Sequence, residues 1–194
     1  MTIAMTKYPE FWLSVVDPLN IPSHSYFEVA FFGASNVGKS SLINAVCNQK
    51  NLAKTSKTPG RTQMLNFFTY PPQTVLVDVP GYGFANVPIE ARKHWQDLLL
   101  GYLASRQANM RAYILLDSRR FLRTSDLDLL RLFQEYDTPF VFVFTKFDKL
   151  NALEQNELTQ KSQEQFGQYC RVLFTSAKTK GGIDDLRRDI QNVN

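Results

Sequence analysis

Gly33-Ala34-Ser35-Asn36-Val37-Gly38-Lys39-Ser40 sets four residues between two glycines and follows the second directly with a lysine and a hydroxyl. That spacing is the one a phosphate-binding loop needs. Two glycines let the backbone turn close to phosphate oxygens with no side chain intruding, and its N–H groups then point at the anion from a helix N-terminus. Lys39 reaches the β- and γ-phosphates. Ser40 offers its hydroxyl to Mg²⁺, which keeps most of its octahedral shell as water and phosphate oxygen, and Ser41 continues the first helical turn. A second cluster, Asp78-Val79-Pro80-Gly81, supplies a carboxylate that can hold a water of the Mg²⁺ shell and a Gly81 N–H that can swing onto a γ-phosphate. The third is Thr145-Lys146-Phe147-Asp148. An aspartate there accepts from both the ring N–H and the exocyclic amine of guanine, a donor pair adenine does not offer, while the Lys146 stem lies along the ring. Thr175-Ser176-Ala177-Lys178 follows another apolar run and brings a backbone N–H to the guanine carbonyl.

These residues do chemistry only if strands and helices hold them. Phe27 to Phe32 reads as a buried strand entering the phosphate loop, and Ser41 to Val46 has helical spacing on its far side. Leu65 to Tyr70 and Thr74 to Asp78, split by Pro71-Pro72-Gln73, read as a hairpin ending on Asp78. Ala112 to Asp117, Phe140 to Phe144 and Val172 to Phe174 complete six strands. Pro88 opens a helix running through Trp95, Leu98, Leu99, Tyr102 and Leu103. Further helices are expected over Asp126–Tyr136, capped by Thr124 or Ser125, over 151–168, and from Ile183 to Ile190. The expectation is an α/β P-loop NTPase of Ras-like type, a mostly parallel six-stranded sheet with helices on both faces.

The chain has 194 residues, 44% hydrophobic and 21% charged, which suits one globular domain. Residues 1–26 form an arm whose aromatics pack on a nucleotide-binding domain of 27–194. His24, in that arm beside Ser23 and Ser25, reads as a solvated loop residue. No apolar run approaches the roughly 20 residues of a membrane span and the N-terminus carries no signal-peptide pattern, so a cytoplasmic protein is expected. Cys47 and Cys170 lack metal-ligand spacing and read as inert. A formal charge of +4 permits a polyanionic partner. Residues 48–63 form a polar, basic loop where such folds sense nucleotide, and a threonine there can complete the Mg²⁺ shell. In the second sensing segment, Tyr82 and Phe84 either face a partner or pack the segment down. The arginines of Ser118-Arg119-Arg120-Phe121-Leu122-Arg123 suit an RNA backbone or a solvated loop.

Five guanine-nucleotide motifs in order across 33–178, with the strings Glu28-Val29-Ala30-Phe31, Ser35 to Asn44, Thr55-Ser56-Lys57-Thr58-Pro59-Gly60-Arg61-Thr62-Gln63, Asp78-Val79-Pro80-Gly81-Tyr82-Gly83 and Thr145-Lys146-x-Asp148-Lys149, resemble one family closely. It is the bacterial ribosome-biogenesis GTP-binding proteins of the EngB (YihA/YsxC) type, among the TrmE-Era-EngA-EngB GTPases. The resemblance implies that Thr62, not Thr58, ligates Mg²⁺, and that Gly60, Arg61, Gln63 and Met64 line the bound GTP or GDP. It implies a monomer that assists assembly of the large ribosomal subunit, through ribosomal RNA and proteins or assembly intermediates, and is needed for normal cell division and septation. It also implies catalytic roles for Lys39, Thr62 and Gly81, and a role for Asn36 in seating K⁺ against the phosphates unless Asn36 only shapes the turn. Two positions depart from the family. Thr145 stands where many GTPases have asparagine, and Ala34 where members often carry arginine. Tyr82 occupies the position at which Ras-type enzymes orient water with glutamine, so intrinsic turnover should be slow.

Two other readings compete. An ATP-using kinase or ATPase would share the phosphate loop but has no use for Asp148. A basic RNA-binding module with a mainly structural nucleotide would bind ribosomal particles indifferently to nucleotide.

Overall fold

Runs that are apolar at every position rather than alternating are what a parallel strand buried on both faces demands. The computed structural model describes residues 5–54, 64–82, 89–106 and 109–192. Its strands are β1 (Glu10–Val15), β2 (Phe27–Gly33), β3 (Leu65–Tyr70), β4 (Thr74–Asp78), β5 (Met110–Asp117), β6 (Phe140–Thr145) and β7 (Val172–Phe174). Its helices are α1 (Lys39–Val46), α2 (Ile89–Arg106), α3 (Thr124–Glu135), α4 (Ala152–Phe166) and α5 (Ile183–Gln191). The strands form one sheet in the order β1-β3-β4-β2-β5-β6-β7. Pairs β1/β3 and β3/β4 are antiparallel, and the other neighbours are parallel.

Alternate residues of β2 feed two separate cores. Val29 and Phe31 pack with Leu42, Ile43 and Val46 of α1 and Ile183, Leu186 and Ile190 of α5. Ala30 and Phe32 pack with Leu98 and Tyr102 of α2, Leu129 and Phe133 of α3, and Leu158 of α4. The strand order reverses direction at β2, and there the carboxyl ends of β2, β4, β5 and β6 come together, the place where open α/β sheets bind ligands.

The six expected strands are β2 to β7; the arm supplies a seventh. β1 extends the sheet beyond β3, with a register shift between Phe11 and Leu13. Trp12 packs edge-to-face on Phe67, ring centroids 6.1 Å apart, so aromatic burial and strand pairing act together. His24 is not solvated. Its side chain is 3% exposed, its Nε2 lies 2.8 Å from Glu28 Oε1, and its ring sits between Trp12 and Tyr26. The alternation of serines around it hid a charge four residues on. Helix α3 begins at Thr124, so its N-cap is Arg123 rather than Thr124 or Ser125. There the Asp126 carboxylate accepts the Arg123 backbone N–H at 2.8 Å, so the acid three residues into the helix supplies the cap.

Candidate guanine-nucleotide site

The phosphate loop runs from the end of β2 into α1. Gly38 has φ 108°, a conformation side chains disfavour, while Gly33 is required by space: a Cβ there would lie 2.8 Å from Val37 Cγ1 and 3.2 Å from Leu115 O. Asn36 takes φ 63°, the left-handed region in which asparagine is favoured among non-glycine residues, and its side chain is exposed. Val37 N donates to Ala34 O at 3.2 Å and closes the loop on itself. Among the described residues no side chain caps α1, which leaves its first N–H groups available to an anion. Ser40 and Ser41 lie in that first turn.

Lys39 leaves the same turn and its Nζ contacts Asp78 Oδ1 at the end of β4. The two side chains a nucleotide and its metal would engage are thus already neighbours, both largely buried. Val79 N donates to Phe31 O at 3.2 Å and Trp95 Nε1 to Pro80 O at 3.2 Å, carrying the chain from Asp78 along the loop. Gly81 then passes close to it: a Cβ there would lie 3.1 Å from Ser35 Oγ and 3.3 Å from Gly33 O. The Ala34–Tyr82 bridge, in which Ser35 N donates to Tyr82 O at 3.2 Å, ties the second sensing segment to the phosphate loop. Tyr82 is packed down rather than presented. It is 6% exposed, and its hydroxyl donates to Asp126 Oδ1 at 2.7 Å. Burial first, then the neighbouring Asp126 carboxylate, pushes the phenol well above its ordinary range, so it stays a protonated donor.

The residues expected to read the base converge from β6 and β7. Asp148 Oδ1 accepts from Ser176 Oγ at 2.6 Å, and Ser176 Oγ in turn accepts from Thr179 N at 3.1 Å. Phe147 N donates to Thr175 O at 3.0 Å, and the Phe147 ring rests 5.0 Å from that of Phe174. The second oxygen of Asp148 keeps its acceptor capacity. Ala177 is half-buried and Lys178 exposed beside this turn. Thr145 shows how a hydroxyl does the work of an amide: Oγ1 reaches Val37 O at 2.6 Å and lies 3.2 Å from Leu116 O, linking β6 to the phosphate loop. Lys146, at φ 57°, crosses over Gly38 and donates to Asn36 O at 2.7 Å.

Met64 is half-buried just before β3, whereas Gly60, Arg61, Thr62, Gln63 and Phe84 lie outside the described residues. Two residues that the sequence reading used only as ends of elements belong to this edge. Asp117 ends β5 and pairs with Lys146 and Arg119, and Asp126 holds Tyr82. Asp117 could have been found as Asp78 was, as an acid at the carboxyl end of an apolar strand. A cavity of about 640 Å³ is lined by Phe147, Asp148, Gln155, Phe174, Ser176 and Arg188 and by no residue of the phosphate loop.

Residues 28–146, more than half of the chain, match the family model described as 50S ribosome-binding GTPase. The probable GTP-binding protein EngB of Rickettsia felis is 41% identical over 171 residues, 88% of this chain and 81% of that one. The chain belongs to the EngB family of GTP-binding proteins. The probable EngB of Pelobacter propionicus is 49% identical over 151 residues, covering 77% of this chain and 75% of its own. In fold, the chain is similar to a crystal structure of a probable GTP-binding protein EngB, with TM-score 0.67 and 23% identity over 86% of this chain and 97% of that one. It is similar also to Era of Aquifex aeolicus bound to GDP and AlF₄⁻, with TM-score 0.66 over 84% of this chain and 55% of that one. As an EngB-family GTPase, the protein binds guanine nucleotides and hydrolyses GTP, which sets aside the ATP-using reading.

Proposed function

We propose that this EngB-family GTPase is a cytoplasmic, monomeric switch that assists assembly of the large ribosomal subunit and through it supports normal cell division and septation. The observation that carries the reading is the match of residues 28–146 to the GTPase family described as binding the 50S ribosome. The basic balance of the chain, pI about 9.1, agrees with a ribosomal RNA partner. Among the described residues no helix is long and apolar enough to cross a membrane. In this reading the γ-phosphate orders the 48–63 and 82–87 segments into the surface that particles recognise, and hydrolysis releases it.

Lys39, Thr62 and Gly81 are the groups assigned to the γ-phosphate, and Gly33 to Ser41, Gly60 to Met64, Asp78 to Gly81, Thr145 to Asp148 and Thr175 to Lys178 to the nucleotide. The residues suit Mg²⁺: the Ser40 hydroxyl is a hard oxygen in the first turn of α1, the Asp78 carboxylate beside Lys39 would hold a water of the ion's shell, and Thr62 is assigned as the second protein ligand. When bound, the ion offsets charge on the phosphate oxygens. Asn36, exposed at the turn, is assigned to a K⁺ ion doing what an arginine finger does elsewhere. Hydrolysis should rise severalfold when K⁺ replaces Na⁺, and Asn36→Ala should abolish that rise while leaving GDP binding nearly unchanged. Equal rates in both salts would remove K⁺ from the account. The assembly role is tested by depleting the protein in its cell and separating ribosomal particles on a sucrose gradient. Accumulation of large-subunit precursors is expected; an unchanged profile would contradict the role.

A further inference from the structure

We propose that Asp117 is a positioning residue of the nucleotide site: through the Lys146 ammonium it fixes the Asn36 carbonyl of the phosphate loop and so sets how long a guanine nucleotide stays bound. The inference rests on guanine-nucleotide binding at this site, not on the ribosomal role.

Asp117 is the last residue of β5 and is 9% exposed. Its Oδ2 accepts from Lys146 Nζ at 2.9 Å and from Arg119 Nη2 at 2.8 Å, while Oδ1 accepts from Arg119 Nε at 2.9 Å and from Arg119 N at 3.1 Å. The guanidinium grips the carboxylate with two parallel bonds, so the oxygen offered to Lys146 has a fixed direction. Arg119 first, then Lys146, hold the Asp117 carboxyl well below the usual carboxylate range against the opposing effect of burial, so it carries its charge at any working pH.

Lys146 itself has little to orient it. Its backbone is left-handed at φ 57°, and its four-carbon stem is rotamer-rich. Among the described residues its polar contacts are both at the tip of that stem, where Nζ donates to Asp117 Oδ2 at 2.9 Å and to Asn36 O at 2.7 Å. The Asn36 carbonyl matters because a trans peptide points its C=O and N–H in opposite directions. Lys146 pins Asn36 O while the N–H of the same peptide, on Val37, is bonded to Ala34 O, and Thr145 pins Val37 O on the next peptide, which carries the Gly38 N–H, so two successive peptides of the phosphate loop are held from the end of β6. Without Asp117, Lys146 would lose the anchor that keeps it over Gly38, and one of these pins would loosen.

Dissociation of a fluorescent GDP analogue, followed by stopped flow with excess unlabelled GDP, tests this. Asp117→Asn should raise the dissociation rate about tenfold, the loss of one charge-assisted bond, with its melting temperature reported alongside. In a Lys146→Met background the same substitution should add less than about twofold, because the relay is already cut. Arg119→Ala, half-exposed, should raise the rate clearly less than Asp117→Asn does, since Lys146 keeps its carboxylate though the carboxylate loses its fixed direction. Should Asp117→Asn not fold, Asp117→Ser takes its place in the cycle under the same criteria. A wild-type dissociation rate in the folded Asp117 variant would overturn the proposal. So would an undiminished effect without Lys146, or a loss in Arg119→Ala as large as that in the Asp117 variant, because the carboxylate would then serve only its own turn. Wild-type protein that fails to bind the analogue would overturn the nucleotide reading beneath it.

Discussion

Asp148 is held by Ser176 in one orientation, which suits the base-reading role assigned to it. The serine hydroxyl engages Oδ1 at 2.6 Å, so the carboxylate is turned before guanine arrives. Asp148→Asn replaces an acceptor by a donor and should move preference from guanosine to xanthosine diphosphate, read by competition against fluorescent GDP; retained guanine preference would dislodge Asp148 from base reading. Thr145 is the other residue whose chemistry departs from the common pattern. Its hydroxyl bond to Val37 O is a single neutral contact, so Thr145→Ala should weaken GDP binding by about 1 kcal/mol, a fewfold rise in Kd by titration. The cysteines should be silent. Burial pushes the Cys47 thiol up to about 12 and the Cys170 thiol up to about 11, so neither is a thiolate at neutral pH, and a disulfide-exchange reagent at pH 8 should react at the native protein only slowly and fully once it is unfolded.

At the scale of elements, the segment from Pro80 to Tyr82 is held at three points. Trp95 of α2 donates to Pro80 O, Ser35 N to Tyr82 O, and Tyr82 OH to Asp126 at the start of α3. Any change that lifts Tyr82 must therefore break a bond to α3 as well as one to the phosphate loop. Tyr82→Phe leaves a buried acceptor without its donor and should cost about 1–3 kcal/mol of stability in urea unfolding. Because the hydroxyl points to Asp126, intrinsic GTP hydrolysis should stay within about twofold; a much larger loss would place the phenol in the reaction. None of this could be read from Tyr82-Gly83-Phe84, since spacing does not reveal where a ring lies. The elements themselves were legible because parallel strands are apolar on both faces, and the carboxyl ends of those strands named Asp78 and Asp148. β1 was not legible. Its residues mix polar and aromatic types, its register shifts near Trp12, and only pairing with β3 makes it a strand.

For the whole molecule, the arm and the second sensing segment meet on α2. Arg106 Nε donates to Glu28 Oε1 at 2.7 Å, Arg106 Nη2 to Pro22 O and Tyr102 OH to Glu28 Oε2, with His24 against the same carboxylate. Gly101 lets α2 press on the arm, since a Cβ there would lie 2.6 Å from Pro18 Cβ. One buried carboxylate thus joins β2, the arm and the helix that follows the second sensing segment. Glu28→Ala would leave Arg106 and His24 buried without it and should cost about 3–5 kcal/mol, seen as a lower urea midpoint. The sequence showed Glu28 only as part of a motif string; its partners lie up to 78 residues away and appear only once the fold brings them together. In the proposed function this scaffold positions a nucleotide-dependent surface, and the most direct test is cosedimentation of the protein with purified large-subunit particles in the presence of a non-hydrolysable GTP analogue or of GDP. The account predicts markedly more protein in the pellet with the GTP analogue at the same salt concentration. Equal recovery with both nucleotides, falling steeply as salt rises, would mark a static RNA binder and contradict the switch.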